Sequence, residues 1–249
     1  MKTPNILRLD DLLVLRGMAN TKTQAKAYIM AGVVFHDNTR LDKPGHKVKE
    51  DIQISLREKP HPWVSRGGIK LAHAIDHFQL SINQKVCMDI GSSTGGFTDV
   101  LLSKGAKRVY AVDSGTGQLD WRLRNTEKVV TLEKTNARHL TPQLIPEAIE
   151  IITCDASFIS LTKILPTPLT FAANKAYLIA LIKPQFETSR EHISKGGVVR
   201  NPALHDSACK KIRDWITIET PWTPLGIEPS PITGPKGNRE FLILAQLQS

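Results

Sequence analysis

Short apolar runs recur between residues 65 and 249 and alternate with amphipathic or turn-rich stretches. The runs are rich in β-branched and aliphatic residues and cover positions 86–90, 109–112, 129–132, 149–153 and 177–182. Runs of this length that alternate with helical segments are typical of βαβ units. The pattern therefore predicts an α/β fold with a doubly wound, mainly parallel sheet. A last run at 241–247 follows a stretch rich in proline and glycine, and we expect it to form an antiparallel strand.

Residues 1–58 have another pattern, with two short helical segments followed by brief apolar runs at 33–35 and 52–56. Thr21 and Gln24 fit a capping box, in which each side chain satisfies a free backbone group at the start of a helix. We predict a small α+β domain here.

Residues 59–64 contain two prolines and no periodicity, which is typical of a linker. The sequence therefore predicts a domain at 1–58, a linker at 59–64 and a second domain at 65–249.

The 249 residues carry a formal net charge of +9, which favours polyanions such as nucleic acid or acidic lipid headgroups, although charge alone also fits a basic protein with no such partner. The three cysteines lie far apart, so we predict neither a disulfide framework nor a metal site. No signal peptide is visible, and the longest apolar run, 176–182, is far below the roughly 20 residues that span a bilayer. We expect a cytoplasmic protein that does not enter membranes.

A glycine-rich loop follows the first predicted strand of the large domain, with Gly91, Gly95 and Gly96 in the segment 89–97. Ligands of such sheets bind at this turn, and glycine lets the backbone approach them closely. The spacing is neither a dinucleotide fingerprint nor a P-loop, and a plain tight turn is the alternative. Asp113 ends the second strand, where a carboxylate can accept hydrogen bonds from a ribose diol or cap the next helix. Loop and acid together favour a nucleoside cofactor without a pyrophosphate.

Two further strand ends carry charged side chains, Asp155 after the fourth strand and Lys183 after the fifth. Both positions face the crevice of the glycine loop. A partly desolvated lysine can take a proton from a hydroxyl group. The alternatives are a lysine that reaches out to solvent at a strand end and an aspartate that caps a helix.

Several segments carry a resemblance to a known family, above all VSRGGIK at 64–70, DIGSSTGGFTD at 89–99 and IKPQFE at 182–187, with GNRE at 237–240. Nearly end to end, the chain resembles the TlyA family of ribosomal RNA 2′-O-methyltransferases, also called hemolysin A-like. The large domain resembles the FtsJ class, which implies a Rossmann-like fold and S-adenosylmethionine as cofactor. Residues 1–58 resemble the alpha-L RNA-binding module of pseudouridine synthases and tyrosyl-tRNA synthetases.

The resemblance also implies roles for individual residues. The Lys-Asp-Lys-Glu tetrad of the FtsJ class falls on Lys70, Asp155, Lys183 and Glu240, with Lys183 as the base, Lys70 as a neighbouring cation and the two acids as orienting groups. The expected cofactor contacts are Asp89, Gly91, Ser93, Gly95, Gly96, Phe97 and Asp113. The expected phosphate contacts of the small domain are Arg8, Lys22, Lys26, Lys43 and Lys47. The implied substrate is a cytidine in ribosomal RNA or in a ribosomal subunit, and no obligate protein partner is evident.

Three other functions compete with this interpretation. A membrane-active hemolysin is supported by the family's second name and by the basic charge. A catalytically silent RNA-binding assembly factor would need no tetrad. A base methyltransferase would need a different motif after the fourth strand, because the segment Asp155-Ala-Ser-Phe lacks the Pro-Pro-aromatic pattern of amino-methylating enzymes.

Overall fold

A computed structural model describes residues 5–57, 61–194, 196–234 and 236–248. The chain forms two compact units, Met1–Pro62 and Trp63–Ser249. The domain limits drawn from the sequence stay predictions, and positions 59 and 60 of the predicted linker lie outside the described residues.

The N-terminal unit combines short strands with two helices. Its elements are β1 (Ile6–Arg8), α1 (Leu9–Leu15), α2 (Lys22–Met30), β2 (Val34–His36), β3 (Thr39–Arg40), β4 (Lys47–Lys49) and β5 (Ser55–Leu56). Strands β1 and β4 pair with each other, and β2 pairs with both β3 and β5, always antiparallel. A small core of Leu9, Leu13, Ile29 and Val34 joins the helices to the strands.

The structure confirms one half of the capping box, because the backbone N–H of Gln24 donates to Thr21 Oγ1 at 3.1 Å, whereas the Gln24 side chain accepts from the N–H of Asn20, one residue earlier than predicted. The predicted order of elements was wrong in one respect: a strand, β1, precedes the helices and pairs with β4. Strands of three residues are too short to show a period of two, so their pattern gives no usable signal. The predicted strand at 52–56 was too long, because only Ser55–Leu56 form a strand, β5.

The second unit alternates helices and strands. Its elements are α3 (Gly67–His77), β6 (Val86–Ile90), α4 (Gly96–Ser103), β7 (Arg108–Val112), α5 (Trp121–Arg124), β8 (Val129–Leu132), β9 (Ile149–Cys154), α6 (Leu161–Ile164), α7 (Pro166–Leu169), β10 (Ala172–Ile182), α8 (Pro184–Glu187), α9 (Pro202–Glu219), β11 (Trp222–Pro229) and β12 (Phe241–Leu247). Short 3-10 turns cover Ala137–His139 and Arg190–His192.

One seven-stranded sheet runs through the described part of this unit in the order β11-β12-β10-β9-β6-β7-β8. The five strands from β10 to β8 are parallel, and β12 is antiparallel to both β10 and β11. The predicted doubly wound sheet and the late antiparallel strand are therefore confirmed. Strand β11 lies within the stretch rich in proline and glycine, where the sequence pattern predicted no element. It contains Pro224 and Pro229, and an edge strand tolerates prolines because one side of its backbone has no strand partner.

Apolar side chains cover both faces of the sheet. Successive residues of β6 point to opposite faces, so that Cys87 joins one core with α3 and α4 while Met88 joins the other with α9. The chain leaves β6 toward β7 and later returns to β9 on the other side. This reversal opens a crevice at the carboxyl ends of β6 and β9, where ligands bind in open α/β sheets.

Candidate active site

Four charged side chains of the predicted tetrad meet at this crevice. Lys70 lies in the first turn of α3, Asp155 follows β9 and Lys183 follows β10. Glu240 directly precedes β12, and because β12 runs antiparallel to β10, with Phe241 opposite Ile182, its start lies beside the end of β10. The topology thus brings together residues from four separate segments.

The four side chains form a chain of alternating charge. Lys70 Nζ donates to Glu240 Oε2 at 2.6 Å and lies 3.8 Å from Asp155 Oδ2. The other oxygen of that carboxylate, Asp155 Oδ1, is 2.6 Å from Lys183 Nζ. Lys70, Lys183 and Glu240 are buried, whereas Asp155 keeps about a fifth of its side chain exposed. Buried charges of this kind are stable only when paired, and here each has an opposite charge beside it.

The ammonium group of Lys183 has two further partners in the segment that follows β9. It donates to the Oγ atom of Ser157 at 2.8 Å and to the backbone carbonyl of Asp155 at 3.2 Å. The three contacts hold Nζ in place at the wall of the crevice.

Glu187 holds together the two loops that carry Asp155 and Lys183, a role that the sequence analysis missed. Its buried carboxylate accepts a hydrogen bond from Ser160 Oγ at 2.6 Å and one from the Leu161 backbone N–H at 2.8 Å. Lys211 of α9 donates to the same side chain at 3.0 Å. No local pattern signals this contact, because the partners are distant in sequence.

The glycine-rich loop follows β6 as predicted. Gly91 has a φ of +76°, and a Cβ atom there would lie 3.0 Å from the backbone of Ala156, so no other residue fits without displacement. Gly95 has a φ of +94° and forms the N-cap of α4. Gly96 and Phe97 are the first two residues of that helix, and both line the crevice.

Asp113 connects this loop with the one after β7. Its Oδ2 accepts from the Ser93 N–H at 2.8 Å, and its Oδ1 accepts from the Gly115 N–H at 2.7 Å. A carboxylate can accept about four hydrogen bonds, so capacity for a ligand's hydroxyl groups remains. Asp113 and Ser93 line the part of the crevice that lies beside β7.

Asp89 is placed differently from the other predicted cofactor contacts. It lies fully buried beneath the loop, where Thr98 donates to it at 2.7 Å and Thr153 at 3.1 Å. Burial raises the pKa of Asp89 to about 7, although the two hydroxyl groups oppose the shift. The carboxyl group therefore supports the loop from below and does not line the cleft.

The crevice divides into two clefts that share one wall. A cleft of about 540 Å³ contains all four tetrad residues, and one of about 490 Å³ is lined by Asp113, Gln118, Asn136 and Arg138. Both volumes lie in the range of small-molecule sites. The shared wall consists of Gly91, Ser93, Asp155, Ser157 and Phe158. A molecule in one cleft and a molecule in the other would thus meet beside Asp155.

Glu133, at the end of β8, orders the loop beside the smaller cleft, and the sequence analysis missed it too. Hydrogen bonds from the backbone N–H groups of Gly117, Gln118 and Leu119 reach its carboxylate, and so does one from Arg124. These hydrogen bonds lower the pKa of Glu133 to about 2, and the bond from the Gly117 N–H contributes most.

The predicted phosphate contacts of the N-terminal unit fall into two groups. Arg8 donates to the buried Asp10 at 2.8 and 2.9 Å, and Lys22 lies 2.6 Å from Asp11, so both cations have partners within the unit. Lys26, Lys43 and Lys47 are exposed, and no ion pair involves them within residues 5–57.

The three cysteines do not offer a nucleophile. Cys87, Cys154 and Cys209 are all buried, and burial raises the pKa of each thiol, to about 12 for Cys154 and about 11 for Cys209. Since the thiolate is the reactive form, methylation of a pyrimidine carbon through a cysteine adduct has no support here.

The mainly parallel sheet carries a glycine-rich first loop, an acid after the second strand and charged groups at the switch point. These features are typical of Rossmann-like enzymes that bind a cofactor with a nucleoside part. The sequence profile named FtsJ-like methyltransferase matches residues 63–247, and the S4 domain profile matches residues 7–54. The chain belongs to the FtsJ-like methyltransferase family and carries an S4 domain at its N-terminal end.

Individual relatives agree with this assignment. YqxC of Bacillus subtilis is 47% identical over 237 residues, which are 95% of this chain and 84% of that protein. The 16S/23S rRNA (cytidine-2′-O)-methyltransferase TlyA of Mycobacterium tuberculosis is 40% identical over 97% of this chain and 90% of its own length. A solved structure from Streptococcus thermophilus that bears the name hemolysin has a TM-score of 0.77 at 38% identity, with 100% of this chain and 90% of that one covered. Among the described residues of the present chain, no helix is long and apolar enough to cross a membrane.

Proposed function

We propose that this protein uses S-adenosylmethionine to methylate the ribose 2′-hydroxyl of a cytidine in ribosomal RNA. The observation that carries the proposal is the alternating chain Glu240–Lys70–Asp155–Lys183 at the wall shared by two clefts. Methyl transfer to a hydroxyl needs two bound molecules in line and one group that takes a proton. The shared wall with Lys183 beside it meets both requirements.

The smaller cleft fits the nucleoside part of the cofactor. Asp113 offers carboxylate oxygens to a ribose diol, and the backbone of Gly91 lines the same cleft. Asn136 and Arg138 line the same cleft and offer hydrogen-bonding groups to the adenine. When bound, S-adenosylmethionine supplies an activated methyl group on a sulfonium centre. Ser93, Gly96 and Phe97 would hold the remainder of the molecule. Gly95, as the N-cap of α4, and Asp89, beneath the loop, would support these residues without lining a cleft.

The larger cleft fits the acceptor nucleotide. In the proposed reaction Lys183 acts as the neutral amine: its Nζ takes the proton of the 2′-hydroxyl group and becomes the ammonium form that pairs with Asp155. Asp155 and Ser157 orient that nitrogen through the contacts at 2.6 and 2.8 Å. Lys70 lies on the side of Asp155 away from Lys183 and holds that carboxylate in place. Glu240 in turn neutralises the charge of Lys70.

The N-terminal unit would bind the RNA backbone. Its S4 profile, the net charge of +9 and the free cations Lys26, Lys43 and Lys47 support this assignment. The relative TlyA is named for cytidines of 16S and 23S rRNA, and we extend that substrate to this chain, with ribosomal RNA or ribosomal subunits as the partner.

The test is transfer of a tritiated methyl group from S-adenosylmethionine to small and large ribosomal subunits that lack modification. Wild-type protein should label one or both subunits, and the Lys183→Ala variant should not. Naked ribosomal RNA and tRNA serve as comparison substrates. If wild-type protein binds the cofactor and labels no RNA at all, the enzymatic proposal fails and a silent RNA-binding factor takes its place.

A further inference from the structure

Two histidines and a glutamate form a cluster away from the tetrad. His73 and His77 lie one turn apart on α3, and Glu228 faces them from β11. The Nε2 atom of His73 is 3.6 Å from Glu228 Oε1, and that of His77 is 3.6 Å from Glu228 Oε2. One donor atom from each of the three residues lies within 4.8 Å of the others.

These distances are too long for direct hydrogen bonds, which span about 2.7–3.2 Å between nitrogen and oxygen. His73 Nε2 is shielded from solvent and has no hydrogen-bond partner among the described residues. Ligands of tetrahedral zinc lie about 2.0–2.1 Å from the metal, which places them about 3.3 Å from one another. The observed separations of 3.6 Å are close to this value and leave room for an ion between the two side chains of each pair.

We propose that His73, His77 and Glu228 bind a zinc-class divalent cation through the two Nε2 atoms and the carboxylate. Two imidazoles and one carboxylate suit zinc better than magnesium or calcium, which prefer sites made of oxygen ligands alone. Each of the three side chains keeps between 29% and 43% of its surface exposed, so the ion has a path of entry and its fourth position is open to water.

The packing at the end of α3 orients one of the three ligands, His77, before any ion binds. The edge of Phe78 contacts the ring of His77 with 4.8 Å between the ring centroids. A Cβ atom on Gly226 of β11 would lie 3.0 Å from Phe78, so glycine at this position lets the strand approach the helix end closely. An ion here would cross-link α3, the helix that carries Lys70, to the edge strand of the sheet. The site is thus a structural clamp, separate from the proposed methyl transfer.

Calorimetric titration of the full-length, chelator-treated protein with zinc chloride tests the site. We expect one ion per chain with micromolar affinity, together with a rise in melting temperature of about 5–10 °C at a hundredfold excess over the dissociation constant. His77→Ala should weaken binding about a hundredfold and the isosteric Glu228→Gln at least about tenfold. His36→Ala is the matched control and should bind zinc like wild type. His36 Nε2 lies 3.7 Å from the carboxylate of Asp37, and the described residues place no third ligand beside this pair.

The proposal is overturned if wild-type protein binds zinc no tighter than millimolar. It is overturned equally if Glu228→Gln and His77→Ala bind with wild-type affinity, since the ion would then sit elsewhere. Melting curves without zinc show whether each variant is folded, and Glu228→Gln, which keeps the shape of the side chain, is the variant expected to pass.

Discussion

The ammonium group of Lys70 lies 2.6 Å from the carboxylate of Glu240, a residue 170 positions further along the chain, and both side chains are buried. The pair joins the first turn of α3 to the start of β12 and holds the end of the tetrad that is furthest from Lys183. A buried charge that loses its partner is strongly destabilising, whereas replacing the whole pair with apolar residues is often neutral.

Glu240→Ala should therefore lower the free energy of unfolding by about 3 kcal/mol, because Lys70 keeps only the more distant Asp155. The double variant Lys70→Met with Glu240→Leu should regain most of that loss and still transfer no methyl groups. Urea unfolding and methyl transfer on the same preparations separate the two effects. A double variant with restored activity would show that the pair serves stability alone.

Lys183→Ala should lower the rate of methyl transfer about 10²- to 10⁴-fold, the usual contribution of a positioned base, and leave cofactor affinity within a few-fold of wild type. Lys183→Arg should be nearly as slow, because a guanidinium group keeps the charge but does not give up its proton. Lys85→Ala is the matched control. Lys85 forms an ion pair with Glu150 at 2.8 Å and precedes β6, so it lies at the amino ends of the strands, away from the crevice at their carboxyl ends. Full activity in Lys183→Arg would rule out the proposed base.

Stability should depend on pH through Asp89. Its pKa is about 7 in the folded protein and near 3.8 without the fold, so its stabilising contribution is complete below pH 3.8 and is lost as the pH rises through 7. Between pH 5 and pH 8 this loss amounts to about 2–3 kcal/mol. Asp89→Asn, which does not titrate, should flatten the curve by that amount in urea unfolding at several pH values. Parallel curves for the two proteins would contradict the assignment.

The three free lysines of the N-terminal unit should control RNA affinity and its dependence on salt. Changing Lys26, Lys43 and Lys47 together to alanine should weaken binding to ribosomal RNA about tenfold and reduce the slope of log affinity against log salt by about 2. The control changes three other exposed lysines, Lys107, Lys128 and Lys175, which lie before or near the start of β7, β8 and β10, at the end of the strands away from the cleft. Equal losses in both variants would indicate a general charge effect without a binding surface.

Much of the catalytic unit follows from the sequence because its signals are local. The apolar runs predict the parallel strands, and the position of a residue after such a run places Asp113, Asp155 and Lys183 at one edge of the sheet. Lys70 and Glu240 have no such signal, since a helix turn and an antiparallel strand bring them in from distant segments. Only the family resemblance predicted them.

Other contacts could not be predicted from the sequence either, because they join segments that are distant along the chain. Glu133 and Glu187 each accept hydrogen bonds from backbone N–H groups, which any residue supplies. Their side-chain partners Arg124, Ser160 and Lys211 lie on other elements, so no local pattern marks them. His73 and His77 have the spacing of two ligands on a helix. The proposed third ligand, Glu228, lies on the edge strand β11, which the sequence did not predict because of its prolines. The sequence pattern accordingly predicts no metal site, and the proposed zinc clamp depends on the fold.

The most direct test of the central claim is the chemical identity of the modified nucleotide. Unmodified ribosomal subunits are incubated with wild-type protein and S-adenosylmethionine, and the RNA is then digested and analysed by mass spectrometry, with alkaline hydrolysis in parallel. We predict 2′-O-methylcytidine, recovered after alkali as an uncut dinucleotide because the hydroxyl group needed for cleavage is blocked. Cytidine methylated on its base, which alkali releases as a single nucleotide, would contradict the proposed role of Lys183 and its three partners.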